Sequence, residues 1–182
     1  MTLPVAAYDA VASGIIYALF NNTQSYVFDE WVVSGDPDDP STLELEVSGE
    51  VLLAFGGPAP NLLVKYYEYN NISPIKFMNM PDKYAFINTT TGEVIAYLEK
   101  PVDFKHEDLF VIEMFIDEEN NIAIIFYGLD WRGTWATSIY VNNLTKQGVL
   151  TELLTNNVLI YHWIDENNNT IPEPNEIHQV YP

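Results

Sequence analysis

The chain has 182 residues, no cysteine, 48% hydrophobic residues, and a net charge of -19 from 26 Asp plus Glu against seven Lys plus Arg. This length fits one globular domain, 1–182, that can bury roughly two thirds of its unfolded surface without a disulfide or metal staple. The negative charge argues against nucleic acids and anionic membranes as partners, whereas divalent cations and neutral or cationic glycans remain compatible with it. The lack of cysteine excludes disulfides, thiolate metal sites and cysteine nucleophiles.

Residues 1–33 are predicted to form an N-terminal helical segment. Over 5–20 the apolar side chains recur near the period of a helix. No Lys or Arg precedes the apolar run, so it lacks the basic start of a secretory signal. It is also too short and too interrupted to cross a bilayer, so no direct membrane insertion is expected. Either the protein is intracellular, or a targeting segment lies outside this chain.

Five Asn-x-Ser/Thr triplets favour an exported protein. With 17 Asn and 19 Ser plus Thr, chance predicts about two such triplets. The excess predicts a glycosylated surface, although an Asn-rich composition is the alternative explanation. The candidate glycosylation sites are Asn21, Asn71, Asn88, Asn143 and Asn168.

After the acidic loop 34–43, the mixed-sheet core is predicted over 44–182. The run 51–55 is continuously apolar, as in a strand buried on both faces, and a glycine turn leads from it into a helix over 61–69. A second strand, glycine turn and helix follow at 122–127 and 128–144. Further strands are predicted at 44–47, 74–77, 84–88, 93–98, 109–116, 158–164 and 177–181. The predicted fold is α/β or α+β, a mixed sheet with two or three helices packed on it.

The acidic, Asn-rich segment 165–176 has the spacing of a twelve-residue calcium loop. Side-chain oxygens fall at positions 1, 3, 5, 9 and 12, and a backbone carbonyl can serve at position 7. Thr170 stands at position 6, where such loops need glycine, and the flanks are predicted strands rather than helices. A solvated turn is therefore the alternative. The candidate calcium ligands are Asp165, Asn167, Asn169, Ile171, Glu173 and Glu176.

The glycine turn after the first apolar strand is a weak candidate for anion or ligand binding. Gly56, Gly57 and Asn61 lie where a backbone can approach a ligand at the start of a helix. However, there is no Walker lysine, and prolines remove two potential amide donors, so a structural turn is the competing interpretation. Arg132, between a tryptophan and a glycine, is either buried in a charge-assisted pair or exposed as an anion contact.

No catalytic motif is recognisable. The chain has no GxSxG or HExxH, and its three histidines are far apart in sequence with no spacing typical of metal ligands. The acidic run 117–119 is predicted to point into water from a hairpin turn. The tryptophans could stack on sugars, but core and interface packing is the simpler interpretation.

Three segments occur in an order that resembles archaeal S-layer and S-layer-related cell-surface proteins. They are the apolar strand with the Gly-Gly-Pro-Ala-Pro-Asn turn at 52–61, the strand with the Gly-Leu-Asp-Trp-Arg-Gly-Thr-Trp-Ala turn at 124–136, and Trp-Ile-Asp at 163–165. The resemblance covers roughly 45–181. It implies an exported, glycosylated structural protein that packs against copies of itself or other envelope proteins and uses divalent cations for rigidity. The turn residues carried over by position are Gly56, Gly57, Pro58, Asn61, Gly128, Arg132, Gly133 and Thr134.

The chain departs from that family in being far shorter than a complete S-layer subunit and in having Pro60 within the first turn. The leading hypothesis is a non-catalytic, calcium-stabilised surface module. The alternative is a small-molecule or glycan-binding domain or hydrolase with a site near Gly57 and Asp130, and a third possibility is an intracellular acidic protein that binds partners. A deep pocket with a carboxylate of raised pKa beside Trp131 would favour the enzyme, and a flat surface there would favour the structural module.

Overall fold

A computed structural model describes residues 32–148 and 156–182. The predicted helix over 5–20 and the glycosylation site Asn21 lie outside these ranges. Two helices are described, α1 (Leu62–Tyr69) and α2 (Trp131–Gln147), and neither has the length and hydropathy needed to span a membrane. The ten described strands are β1 (Val33–Ser34), β2 (Glu44–Leu45), β3 (Val51–Phe55), β4 (Ile75–Asn79), β5 (Lys83–Asn88), β6 (Val94–Glu99), β7 (Glu107–Ile116), β8 (Ile122–Gly128), β9 (Val158–Ile164) and β10 (Ile177–Tyr181).

The centre of the fold is a five-stranded mixed sheet with the order β10-β9-β7-β8-β3. Strands β3 and β8 are parallel, and the other neighbours in this sheet are antiparallel. Side chains alternate between the two faces with the period of two that a pleated strand imposes. In β8, for example, Ile125 and Tyr127 belong to one hydrophobic cluster, and Phe126 belongs to the other.

Each face of this sheet is covered by a different layer. Helix α2 packs on one face, around Phe110, Phe126 and Trp163. Helix α1 and the antiparallel sheet β4-β5-β6 supply side chains such as Val64 and Phe86 to the cluster on the other face. The fold is therefore α+β with a mixed sheet, which confirms the fold class expected from the sequence.

Helix α2 begins at Trp131, after the glycine turn expected within 128–144, and Gly128 still pairs with Phe110 in the sheet. One prediction about an individual element was wrong. Strand β3 is not buried on both faces, since in the described chain it lies at the sheet edge and leaves Val51 61% exposed. The two antiparallel pairs expected around the turns at 89–92 and 117–121 are present as β5–β6 and β7–β8.

The turn between β7 and β8 is buried at its two ends, Asp117 and Asn121, whereas Glu118 and Glu119 are exposed to water as predicted. Asp117 is 8% exposed and accepts a hydrogen bond from the Tyr67 hydroxyl at 2.8 Å. Asn121 is fully buried, and its amide donates to Val47 O and Asp117 Oδ2 while its Oδ1 accepts from Glu50 N. These bonds attach the segment before β3 to the start of β8, and thereby set the register of the parallel pair.

Replacing Asn121 by alanine should lower the free energy of unfolding by about 2–4 kcal/mol, because three side-chain hydrogen bonds disappear and buried partners lose them. Urea unfolding followed by circular dichroism measures the change. Glu118→Ala, on the exposed part of the same turn, is the control and should cost less than about 0.5 kcal/mol. Equal losses in the two variants would contradict a structural role for the Asn121 side chain.

Candidate functional site

A crevice of about 190 Å³ lies where the parallel strands β3 and β8 end. From these adjacent strand ends the chain passes into α1 on one face of the sheet and α2 on the other. Such a switch point is where open sheets of this kind hold their ligands. The turn 56–60 lines one side of the crevice, the segment 128–131 with Thr134 lines the other, and Phe77 and Tyr127 complete it.

The first turn is held in shape by its own backbone and by Asn61. Gly56 has a φ of +91°, a conformation suited to glycine, and its amide donates to Phe126 O. Gly57 lies against the Tyr127 ring, and a Cβ on Gly57 would lie 3.1 Å from Tyr127 Cδ2. Asn61 caps α1 by accepting from Val64 N, while its amide donates to Phe55 O at the end of β3. The asparagine therefore joins strand and helix directly.

The second turn depends on close contact between Gly128 and Gly133. A Cβ on Gly128 would lie 2.4 Å from the Gly133 Cα, and a Cβ on Gly133 would lie 2.6 Å from Asp108 Oδ2. The same Asp108 oxygen accepts hydrogen bonds from Gly133 N at 2.6 Å and Asp130 N at 3.1 Å. Thr134 Oγ1 accepts from Gly128 N. Only glycine at both positions lets the helix start this close to the strand.

Asp108 caps α2 from a neighbouring strand. The expected cap position, Asp130, makes no side-chain capping bond, so the fully buried Asp108 carboxyl satisfies the first amides instead. Burial raises the pKa of Asp108 well above its ordinary value, and the hydrogen bonds from Gly133 and Asp130 only partly offset this. An anion-binding position at the start of α2 is thus already occupied by the protein itself.

Arg132 is engaged within the second turn. Its guanidinium carbon lies 4.1 Å from the centroid of the Trp131 ring, and its Nη1 lies 3.9 Å from Asp130 Oδ2. Its side chain is 17% exposed. Burial raises the pKa of Asp130, and Arg132 partly counteracts that rise. The arginine thus lies in a largely buried stacked pair, one of the two arrangements considered from the sequence.

The crevice is better suited to a neutral or cationic group than to an anion. Most of its lining residues are aromatic, proline or glycine, and Asp130 is the charged residue among those that line it. Pro58 and Pro60 have no amide to donate. The structure brings Gly56, Gly57, Asn61 and Arg132 to adjacent turns, yet their described contacts are with the protein, so they add no support to the anion-binding prediction.

Two buried glutamates, Glu68 and Glu113, accept hydrogen bonds from separate partners. Tyr127 lines the crevice with its ring and donates its hydroxyl to Glu68 Oε1. Glu113 Oε2 accepts from Ser73 Oγ at 2.7 Å and from Ile75 N at 3.0 Å, while its buried Oε1 has no hydrogen-bond partner among the described residues. Burial raises the pKa of Glu68 to about 7 and that of Glu113 to about 8.

The proposed calcium loop folds around its own side chains. Asp165 accepts hydrogen bonds from Asn169 N and Thr170 N, and Asn169 donates its amide to Glu173 Oε1. Glu176 is 1% exposed and accepts from Glu166 N and the Trp163 indole. The other expected ligands, Asn167 and Ile171, also belong to these turns, since Asn167 Oδ1 accepts from Asn169 N and Ile171 N donates to Asn169 Oδ1. Within 32–148 and 156–182, no three His, Asp or Glu side chains form a group that could hold a metal ion.

None of the four candidate glycosylation sites within the described residues is buried. Asn71 and Asn168 are exposed in turns with φ values of 55° and 60°, and Asn88 and Asn143 are half-buried. In the triplet that begins at Asn71, the hydroxyl residue Ser73 is buried, with 1% exposure, and donates a hydrogen bond to Glu113. The asparagines themselves are thus accessible in the described fold.

Sequence reasoning missed Asp108, Glu68 and Glu113. Two of them interrupt the otherwise apolar strand β7, and an acid inside an apolar run is a recognisable signal of a buried polar role. Glu68 lies four residues after the buried Val64 on α1, so its position on the inward face was also readable from the sequence. Their partners could not be read in this way, since Gly133, Ser73 and Tyr127 are distant in the chain.

Comparison with known proteins gives no relative for this chain. No protein-family model matches it, and neither a curated protein nor a solved structure does so at a significant level.

Replacing Gly133 by alanine should lower the free energy of unfolding by about 3 kcal/mol, because the new methyl group overlaps Asp108 and Gly128. Differential scanning calorimetry measures the loss. Gly92→Ala is the control: no atom lies within 4 Å of its Cβ, but its φ is +71°, so it should cost only about 1–2 kcal/mol from backbone strain. A Gly133 variant no less stable than this control would refute the close-packing account.

The buried glutamates should make the protein less stable as the pH rises. Their pKa values are raised in the folded state to about 7 and about 8, so the folded state binds more protons than the unfolded chain above pH 4.5. Stability is therefore fully present below that pH and falls by about 1.4 kcal/mol per pH unit for each acid until its folded pKa is passed. Glu113→Gln, which cannot ionise, should reduce this slope between pH 5 and 8 in urea titrations. An unchanged slope would show that Glu113 ionises normally.

Proposed function

We propose that this chain is a non-catalytic, extracellular, S-layer-like module of a cell surface, calcium-stabilised and N-glycosylated, whose role is assembly. The observation that carries the proposal concerns the two glycine turns that follow β3 and β8. Gly56, Gly57, Asn61, Gly133 and Thr134 act in backbone contacts that join each strand to its helix. Residues that make such contacts stabilise the backbone geometry of the turns and are not positioned to react with a substrate.

The accessible asparagines support the glycosylated, exported part of the proposal. Asn71 and Asn168 lie at exposed turns, where a glycan can extend into solvent without disturbing the core. Buried or unmodified triplets would instead favour the third possibility, an intracellular acidic protein that binds partners. The net charge of -19 is also compatible with an extracellular protein.

Calcium binding remains part of the proposal, with Asp165, Glu173 and Glu176 as the charged ligands. Thr170 has a φ of 61°, so the loop makes its sharp turn at position 6 even without glycine. A carboxylate oxygen that accepts one amide retains a lone pair for a cation. The loop would have to bring these groups closer together on binding, which fits moderate affinity.

The sheet edges and one apolar row are the proposed assembly surfaces, with a second copy or another envelope protein as partner. Val51, Ile122 and Ile116 are cross-strand neighbours on β3, β8 and β7 and are 61%, 39% and 69% exposed. Contiguous exposed apolar side chains are typical of protein-protein contacts. Strands β3 and β10 border the described sheet and offer backbone groups for strand addition.

A second candidate function is binding of a small neutral molecule or glycan in the crevice. Two observations favour it: Gly57 and Asp130 line the same crevice at a switch point, and burial raises the pKa of the Asp130 carboxyl next to Trp131. The volume of about 190 Å³ is below the roughly 300–1,000 Å³ of most ligand pockets. The surface module is therefore the stronger proposal, and the crevice would bind at most one small chemical group.

Calcium at 10 mM should raise the midpoint of thermal unfolding by about 5 °C relative to excess EDTA, if the dissociation constant is about 10⁻⁴ M. Light scattering and electron microscopy of the same samples test whether calcium also promotes ordered assemblies. Glu173→Gln is the informative variant, because Asp165 and Glu176 also accept backbone amides of the loop. Replacing either of those two would change the loop conformation as well as the calcium ligands. Glu173→Gln should abolish the calcium-dependent shift and leave the midpoint in EDTA nearly unchanged.

Glu118→Gln, on an exposed turn away from the loop, should keep the full calcium shift. The absence of any shift would remove calcium from the proposed function. A chain that stays monomeric with calcium at high concentration, yet binds simple sugars with loss of binding in Asp130→Asn, would replace the assembly role with the crevice-based alternative.

A further inference from the structure

The segment 75–100, which contains the sheet β4-β5-β6, carries no net charge, although the whole chain has a net charge of -19. Its three lysines are balanced by three acids: Lys76, Lys83 and Lys100 against Asp82, Glu93 and Glu99. The remainder of the chain therefore carries the entire excess of 19 negative charges. Because like charges repel, two copies of this protein meet most easily where one of them presents this segment.

One face of this sheet points away from the five-stranded sheet and combines lysine with apolar side chains. Phe77, Phe86 and Leu98 pack into the core on the other face, so the side chains that alternate with them point outward. The outward side chains, which we call the lysine face, are Lys76 and Met78 on β4, Lys83, Ala85 and Ile87 on β5, and Tyr97 and Glu99 on β6. Ala85 and Ile87 are buried, whereas Tyr97 is 48% exposed and Lys76, Met78 and Lys83 are half-buried. The surface available to a partner is therefore formed largely by tyrosine, methionine and lysine.

Lys83 can be reached by a carboxylate of a partner. Its Nζ lies 4.7 Å from the centroid of the Tyr97 ring and 3.7 Å from Asp82 Oδ2, and its side chain is 26% exposed. The Asp82 side chain is 74% exposed, so this pair is a weak surface contact. Glu99 is the acid on the lysine face and lies opposite Lys83. With two lysines against one glutamate, the face has a net positive charge.

The apolar row on the five-stranded sheet has acidic residues beside it. Ile122 N donates to Glu50 O, and Gly49 N donates to Glu119 O, so both glutamates lie next to the row, and both are exposed. Val51 and Ile122 are each two residues from a side chain that packs in the cluster under α2, so the row lies on the α2 side of its sheet. The sheet β4-β5-β6 covers the opposite side. The apolar row and the lysine face are thus on opposite sides of the molecule.

We propose that the apolar row of one copy, with Glu50 and Glu119 beside it, docks on the lysine face of the next copy. This docking rests on the assembly role proposed above and adds the surface that receives the row. The apolar side chains meet at the centre of the contact, and Lys76 and Lys83 face the two carboxylates at its rim. Because two different surfaces on opposite sides of the molecule meet, the contact is head-to-tail and, when repeated, produces an open chain of copies.

Sedimentation velocity of the full chain, at concentrations up to about 1 mM in low-salt buffer with EDTA, tests this docking. The wild-type chain should self-associate, and about 0.5 M NaCl should weaken the association because salt screens the charged rim. Lys83→Glu should weaken it by more than about tenfold, since a repulsive pair replaces an attractive one. Lys105→Glu is the matched control, because it makes the same change in net charge at an exposed lysine outside the lysine face. It should associate like the wild type.

A mixture of two variants tests whether the contact is head-to-tail. Glu50→Lys should also fail to self-associate, because it alters the acidic side of the contact, whereas Lys83→Glu alters the basic side. In an equimolar mixture, the unaltered row of the Lys83→Glu chain can dock on the unaltered lysine face of the Glu50→Lys chain. One-to-one heterodimers are expected and longer chains are not, since each heterodimer presents only altered surfaces. Heterodimer formation also shows that both variants are folded.

Two results would overturn the docking and leave the assembly role in place: a Lys83→Glu chain that associates as well as the wild type, or wild-type association that requires calcium. A mixture of the two variants that remains monomeric would exclude a head-to-tail contact. A wild-type chain that is monomeric both in EDTA and in calcium would overturn the docking and the assembly of this chain with itself, and would leave a different envelope protein as the partner.

Discussion

The contact between Gly128 and Gly133 next to Asp108 is the constraint on which the crevice and the start of α2 depend. It allows α2 to begin within three residues of the end of β8 and turns the helix onto the opposite face from α1. Asp108 makes this arrangement possible by accepting the first amides of the helix inside the core. The cost of burying that carboxyl is offset by the hydrogen bonds and by its preference for the protonated state.

The crevice follows from that geometry. With helices leaving adjacent parallel strands toward opposite faces, a gap forms between their turns, and Tyr127 at the end of β8 closes its base. The tyrosine in turn connects the crevice to Glu68 on α1. A motif that maintains backbone geometry thus produces a cleft as a by-product, which is why the same residues suit either a structural module or a binding site.

The sequence predicted elements better than contacts. The apolar run at 122–127 and the helix after Asn61 appear nearly as expected, because periodicity and capping are local properties. The burial of Asp117 was missed, since its partner Tyr67 is fifty residues away. The cross-strand contact between His162 on β9 and His178 on β10 was missed for the same reason, because strand register and not spacing in the chain makes them neighbours. The turn residues Gly128 and Gly133 were singled out correctly, but their steric purpose became visible only from the distances between them.

The parallel pairing of β3 with β8 also has a consequence for the order of folding. Val51 pairs with Ile122, so this contact closes a loop of about 70 residues, and loop-closure entropy opposes it until much of the intervening chain is organised. The hairpins β4–β5–β6 and β7–β8 join residues close in sequence and can form early. The edge strand β3 should therefore dock late in refolding, so the crevice is completed only after the rest of the sheet exists.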